Sequence, residues 1–211
     1  MIPLLLMLAD APAMTPVDAE RAFAADAKAI GQWTAFRKWS TDDATMFVPQ
    51  PANAHAFIKD RNDPPKVIDW WPTASWISCD GSLAVNTGGW QRPDGKVGYF
   101  TTVWQRQKDG GWKWIVDGGD DLTVARDRPA EVKIVRASCK PRGPGISTIT
   151  SILTSPGAKT GDGTSADGTL TWHWQVTADG ARQFTVWLIG DEPGAVPVVV
   201  SDNIAGSPPN K

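Results

Sequence analysis

The sequence predicts an α+β fold: N-terminal helices packed on a curved antiparallel sheet, followed by a small β-meander extension. Three observations carry this. Helical capping signals crowd the first sixty residues, strand and turn signals replace them from Lys66 onward, and the longest strand pair, Val97 to Asp120, is a hairpin. That hairpin is the piece the rest is organised around. Tyr99, Phe100, Thr101, Thr102, Val103 and Trp104 suit a pleated surface, and Lys108-Asp109-Gly110-Gly111 supplies a tight turn. On the return strand, alternation sets Trp112, Trp114 and Val116 against Lys113, Ile115 and Asp117.

The helices come first. Thr15-Pro16-Val17-Asp18 places a hydroxyl at the N-cap, proline at the first helical position and an acid at N3. Helix formers follow through Ile30, with Phe23, Ala27 and Ile30 on one stripe, and Gly31 marks an end or kink. Gln32 to Trp39 reads as a second helix carrying Trp33, Phe36 and Trp39 inward. Ala44 to Val48 is a short strand stopped by Pro49, and Asn53 caps a third helix from Ala54.

The strands follow. Val67 to Ser78 is a strand interrupted by Pro72, which predicts a bulge or an edge. Cys79-Asp80-Gly81-Ser82 turns the chain, Leu83 to Trp90 runs back, and Arg92-Pro93-Asp94-Gly95 turns it again into the central hairpin. Gly88-Gly89 permits sharp curvature or close approach of another backbone. After Asp120 the composition shifts. Glu131 to Cys139 reads as a strand, Lys140 to Gly145 as a linker, and Lys159 to Gly168 as loop because it is rich in Gly, Ser, Thr and Asp. Three strands close the chain, the first with Leu170, Trp172, Trp174 and Val176 on one apolar face and His173 on the polar one. No internal repeat is evident. The domain reading is an export signal over residues 1–14, an α+β domain over 15–122, and a β-rich extension over 123–211 packed on it.

Composition narrows the function classes. Hydrophobic residues make up 41% and charged residues 21%, which describes a globular chain. The net charge is −2, and Lys and Arg form no cluster, which argues against nucleic acid and anionic membrane as partners. The chain has twelve Trp and one Tyr. Large core pieces and ligand-stacking surfaces both account for so many indoles. Met1 to Ala9 is apolar but too short to span a bilayer, and Ala11-Pro12-Ala13 has the spacing of a signal-peptidase site. No basic residue precedes the run. A cleaved or truncated export signal, and hence a periplasmic or secreted protein, is the reading favoured over an apolar cytoplasmic N-terminus. Cys79 and Cys139 then read as one disulfide, with buried free thiols the alternative. Two Cys and two His far apart make no metal site, and no cofactor motif appears.

With the pieces in order, the run from Glu20 to Asp120 resembles the NTF2-like superfamily, and within it the DUF4440/SnoaL-like proteins. The matching pieces are AERAFAADAKAIGQWTAFRKW with DATMFVP, Trp70-Trp71-Pro72, SCDGSLAVNTGGW, and GYFTTVWQRQKDGGWKWIVD. The resemblance implies a cone with an apolar pocket between helices and sheet, often in a homodimer. It covers members that are isomerases, dehydratases and cyclases, and others that only bind. Trp33, Trp39, Trp90, Trp104 and Trp114 are the expected lining of that pocket. Asp117, at the mouth of such a cavity, is a candidate base, against a loop-capping or salt-bridging role. His55 is the one imidazole available for a His–Asp pair, and Tyr99 the one phenol for an oxyanion site. The sparse His, Tyr and paired carboxylates favour binding of a small hydrophobic or aromatic molecule. A lyase or isomerase with an Asp or His base is the alternative, and a structural homodimer with a vestigial pocket the third.

Overall fold

A computed structural model of the chain describes residues 13–140, 154–190 and 197–206. The apolar run Met1–Ala9, most of the linker after Lys140 and the terminal Ser207–Lys211 lie outside the described residues. Helix α1 (Pro16–Ile30) starts where its caps predict. Asp18 N–H donates to Thr15 Oγ1 at 3.1 Å, and Asp18 Oδ2 accepts from the Thr15 N–H at 3.2 Å. Gly31, at φ +105°, separates it from α2 (Gln32–Trp39), whose first N–H groups are capped from afar by the Asp63 carboxylate. Strand β1 (Ser40–Phe47), β2 (Pro51–Asn53) and α3 (Ala54–Ile58) follow, the last capped by Asn53 Oδ1 on Ala56 N–H at 2.8 Å.

The remaining elements are strands: β3 (Asp69–Ile77), β4 (Leu83–Gln91), β5 (Val97–Arg106), β6 (Trp112–Leu122), β7 (Lys133–Arg136), β8 (Lys159–Thr164), β9 (Leu170–Val176), β10 (Arg182–Leu188) and β11 (Val198–Ile204). One sheet has seven strands in the order β2-β1-β6-β5-β4-β3-β7, with the β1–β6 and β3–β7 pairs parallel and the other pairs antiparallel. The second has four antiparallel strands, β11-β10-β9-β8. One face of the large sheet meets the helices through Phe100, Trp104, Trp112 and Trp114 against Phe23, Ala27 and Ala35. Its other face meets the small sheet through Val85, Val103 and Val116 against Leu170, Trp172, Trp174, Val186 and Leu188.

The expected α+β cone is therefore overturned. Strands account for 46% and helices for 16%, in two sheets, so the chain is mostly β. The reason is that α2 and α3 are short, at 8 and 5 residues, while the C-terminal strands form a whole core layer. The Gly-rich stretch read as loop contributes β8 to that layer.

β8 exists because of what lies opposite its glycines. Gly161 pairs with Trp174 and Gly163 with Trp172, and a Cβ built on either would lie 2.5 or 2.7 Å from the facing indole. The rings lie across the glycines, so the indole surface covers backbone that has no side chain of its own. The same device recurs in the large sheet, where Trp71 pairs with Gly89 and Trp90 with Gly98. Four of the twelve tryptophans are thus matched to glycines across a strand pair.

A repeat also exists, at the turns. Ser78-Cys79-Asp80-Gly81-Ser82-Leu83 and Ser165-Ala166-Asp167-Gly168-Thr169-Leu170 close the β3–β4 and β8–β9 hairpins in the same way. In each, the Asp carboxylate accepts from its own serine hydroxyl, at 2.6 and 2.7 Å, and a glycine near φ +67° completes the turn. The two turns dock on each other reciprocally: Asp80 N–H donates to Asp167 Oδ2 at 2.8 Å, and Asp167 N–H to Asp80 Oδ2 at 3.1 Å. Cys79 N–H adds a bond to Thr169 Oγ1 at 2.9 Å. Beside this clasp Cys79 and Cys139 form a disulfide with Cα atoms 5.2 Å apart.

Candidate functional site

The site is set by a bulge in β6. β5 pairs Val103 with Val116 but Trp104 with Trp114, so Ile115 is an extra residue. Trp112 and Trp114 pack toward the helices, Ile115 and Val116 toward the small sheet, and Asp117 returns to the helix side. The simple alternation that grouped Asp117 with Lys113 and Ile115 is thereby corrected. The extra residue shifts the phase of every side chain beyond it.

Asp117 opens onto a cavity of about 240 Å³ between α1, α2, β1 and the large sheet. Phe23, Phe36, Met46, Ile68, Trp70 and Phe100 form its apolar wall, and Gly118, Gly119, Asp120, Asp121 and Arg92 line its polar end. Besides Asp120 and Asp121, two further carboxyls line it, Asp117 and Glu20. Asp117 accepts a 2.6 Å bond from its cross-strand partner Thr102, a fully buried residue. Burial pushes its carboxyl up to about 6, while the Thr102 hydroxyl and the Arg182 charge pull the other way.

Glu20 is not among the residues that the sequence pattern singles out. It sits on the buried stripe of α1 with Phe23, Ala24 and Ala27 and is 1% exposed. Three donors converge on it: Trp70 Nε1 at 3.0 Å on one oxygen, and Trp104 Nε1 at 2.8 Å and Asn86 Nδ2 at 3.3 Å on the other. Burial raises its carboxyl to about 7 against those bonds, and the Asp117 charge adds to the rise. Both carboxyls are thus pushed up toward neutral pH, each chiefly by burial. An acid on the apolar stripe of a well-capped helix was the signal available.

Of the residues expected to act, the structure brings Asp117, Tyr99 and Trp90 to the cavity. Tyr99 is held near 12 by burial first and by Asp202 next, so its phenol stays protonated, and the Arg126 guanidinium lies 4.8 Å from its ring. Trp90 lies over Gly98, donates to Tyr99 O at 2.9 Å and carries Arg92 at 4.8 Å. His55 is elsewhere: its Nε2 is 2.8 Å from Ser40 Oγ, which itself donates to Phe36 O, and no His–Asp pair forms with Asp117. Trp104 and Trp114 are fully buried core residues rather than cavity lining. Trp33 and Trp39 pack against the same core, where Trp39 donates to Asp26 at 2.6 Å. Trp70 takes the lining place expected of them. Among the described residues no group of three or more His, Cys, Asp or Glu is placed to hold a metal ion, and no helix is long and apolar enough to cross a membrane.

No protein-family model matches the chain, and no curated protein matches it. Solved structures that are similar to about half of it include the following two. One is a "putative ketosteroid isomerase" from Parabacteroides distasonis, at 16% identity and TM-score 0.43, covering 52% of this chain and 89% of that one. The other is the CaMKII hub of S. rosetta, at 20% identity and TM-score 0.37, covering 51% of this chain and 97% of that one.

Proposed function

We propose that this protein binds a small, flat, largely apolar molecule bearing one hydrogen-bonding group. The observation that carries the reading is the aromatic cavity with the Asp117 carboxyl in its wall. Its volume of about 240 Å³ lies below the ~300–1,000 Å³ of drug-sized sites, which favours a one- or two-ring ligand. The ring faces would rest on Phe23, Phe36 and Phe100, and the polar group would meet Asp117. The sequence resemblance to DUF4440/SnoaL-like proteins agrees with a small-molecule role. Export stays part of this proposal, resting on the apolar Met1–Ala9 run and the paired cysteines.

Calorimetric titration with p-cresol and with toluene tests it. Both should bind, p-cresol more tightly, and Asp117→Asn should erode the preference by about tenfold, the value of one hydrogen bond to a charged group. Absence of binding by both, or an unchanged preference in Asp117→Asn, refutes the reading.

A second reading, proton transfer, is favoured by the Asp117 carboxyl lying at about 6, close to neutral pH. Deuterium exchange at the α-carbon of a small cyclic ketone in heavy water, followed by NMR, decides it. A rate equal to that of buffer eliminates catalysis, and one equal to that of the Asp117→Asn variant eliminates Asp117 as the base.

A further inference from the structure

The small sheet reaches the cavity wall at one side chain. Arg182 opens β10 on the inner face that Phe184, Val186 and Leu188 continue into the core, and it is 8% exposed. Its Nη2 donates to Gly119 O at 2.6 Å, and its Cζ lies 4.3 Å from the centre of the Phe47 ring. A Cβ built on Gly118 would stand 2.7 Å from Phe47 Cδ2 and 3.6 Å from Arg182 Cζ. Strand, ring and guanidinium are therefore in mutual contact. Phe47, Gly118 and Gly119 all line the cavity.

An apolar residue at position 182 would simply have prolonged the core row of β10. A guanidinium there is desolvated, which is unfavourable unless charges nearby compensate it. Those charges come from two strands, Asp117 and Asp120 on β6 and Asp202 on β11, while the protonated Tyr99 phenol on β5 lies in the same field. Asp202 is itself tied to Thr101 Oγ1 at 2.7 Å and sits in the field of Arg126. Glu20 stands on the other side of Asp117, from α1.

We propose that Arg182 is a positioning residue of the cavity, holding Gly118–Gly119 and Phe47 in place as its wall and setting a buried positive charge against the strand that carries Asp117. The small sheet is then a working part of the site, not a layer that only completes the core. The planar fork explains the residue type: one N–H takes the strand carbonyl while the flat face lies on the ring. A lysine ammonium offers the charge without that plane. The proposal deepens the ligand-binding reading but does not depend on a ligand for its test.

Arg182→Gln and Arg182→Lys separate its parts. The Asp117 carboxyl is titrated by carbon-13 NMR in each folded variant, with no ligand present. Arg182→Gln should raise the Asp117 midpoint by on the order of one pH unit, and Arg182→Lys should leave it near the wild-type value. A midpoint unmoved by Arg182→Gln, even with a lowered melting temperature, makes the arginine merely structural and overturns the proposal. Arg182→Lys should also shift the Gly118 and Gly119 amide resonances and weaken p-cresol binding severalfold. Unchanged amide resonances overturn the wall-holding role, whether or not Arg182→Gln folds. If the wild type binds no p-cresol, the ligand-binding reading fails while the NMR titration still decides Arg182.

Discussion

Replacing Glu20 by Gln should flatten the pH dependence of stability over a defined window. Burial holds the Glu20 carboxyl at about 7 in the folded chain, against 4.5 as its ordinary value. Because the folded value is the higher one, the folded state binds the proton more tightly. The associated stability is fully present below about pH 4.5 and is lost as the pH rises through about 7. The shift corresponds to about 3 kcal/mol, with a slope of at most ~1.4 kcal/mol per pH unit. Gln carries no charge at any pH, so the wild-type-minus-variant difference isolates this share. Part of it comes from the Asp117 charge, which adds to the rise that burial causes. His173, whose imidazole is pulled down by burial and so contributes in the opposite direction, cancels in the difference. The level of the variant's curve will also drop. Glu20 Oε2 accepts from both Trp104 and Asn86, and an amide nitrogen in its place leaves donors facing a donor, costing about 1–3 kcal/mol for each one orphaned. Urea unfolding followed by Trp fluorescence, at steps between about pH 4.5 and 8, measures both terms. Parallel curves for wild type and variant would refute the reasoning, because they would mean that Glu20 does not change its protonation in this range.

The other predictions concern the features that hold the two sheets and the cavity wall. Asp80→Asn and Asp167→Asn should each lower stability by about 1 kcal/mol, kept small because both residues are exposed, and the double variant should lose less than the sum. Burial works against ionisation at both acids, but hydroxyl and backbone N–H groups outweigh it and hold them below their ordinary range. Their contribution is thus present above about pH 4 and lost as the pH falls through the lowered folded values, which acid titration of the melting temperature checks. Gly98→Ala would set a Cβ 2.1 Å from the Trp90 ring and 2.3 Å from Asp120 O. It should destabilise by about 1–3 kcal/mol and red-shift the Trp emission as that indole is displaced, whereas an unchanged spectrum would place Trp90 elsewhere. Thiol titration of the unfolded, unreduced protein should find neither Cys79 nor Cys139 free, and two reactive thiols would remove the disulfide from the account.

What could be read from the residues was what short-range chemistry decides. The capping box at Thr15 and Asp18, the Asn53 cap and the Asp-Gly turns lie within a few residues of the backbone groups they satisfy, so their outcome hardly depends on the rest of the chain. Pro72 likewise announced its bulge, which falls between Pro72 and Ala74. The site depended on longer reach. Asp117 was visible as a candidate, but its side of the sheet is decided by one extra residue, Ile115, against the β5 ladder, and no periodicity within β6 shows that. Lys159 to Thr164 reads as loop for a related reason. Its glycines weaken a strand in isolation, yet they are the residues that admit Trp172 and Trp174 from the neighbouring strand. The signal was there in two pieces, glycines at 161 and 163 and indoles at 172 and 174, both spaced by two and therefore each on one face. Spacing by two on both sides of a Ser-Ala-Asp-Gly-Thr turn is a pairing statement that neither segment makes alone. The α+β expectation fails at the same place, since with 159–168 as loop the C-terminal strands are only an appendage. Once β8 pairs with β9, the small sheet has enough breadth to cover Val85, Val103 and Val116, and Arg182 comes with it to the wall of the cavity.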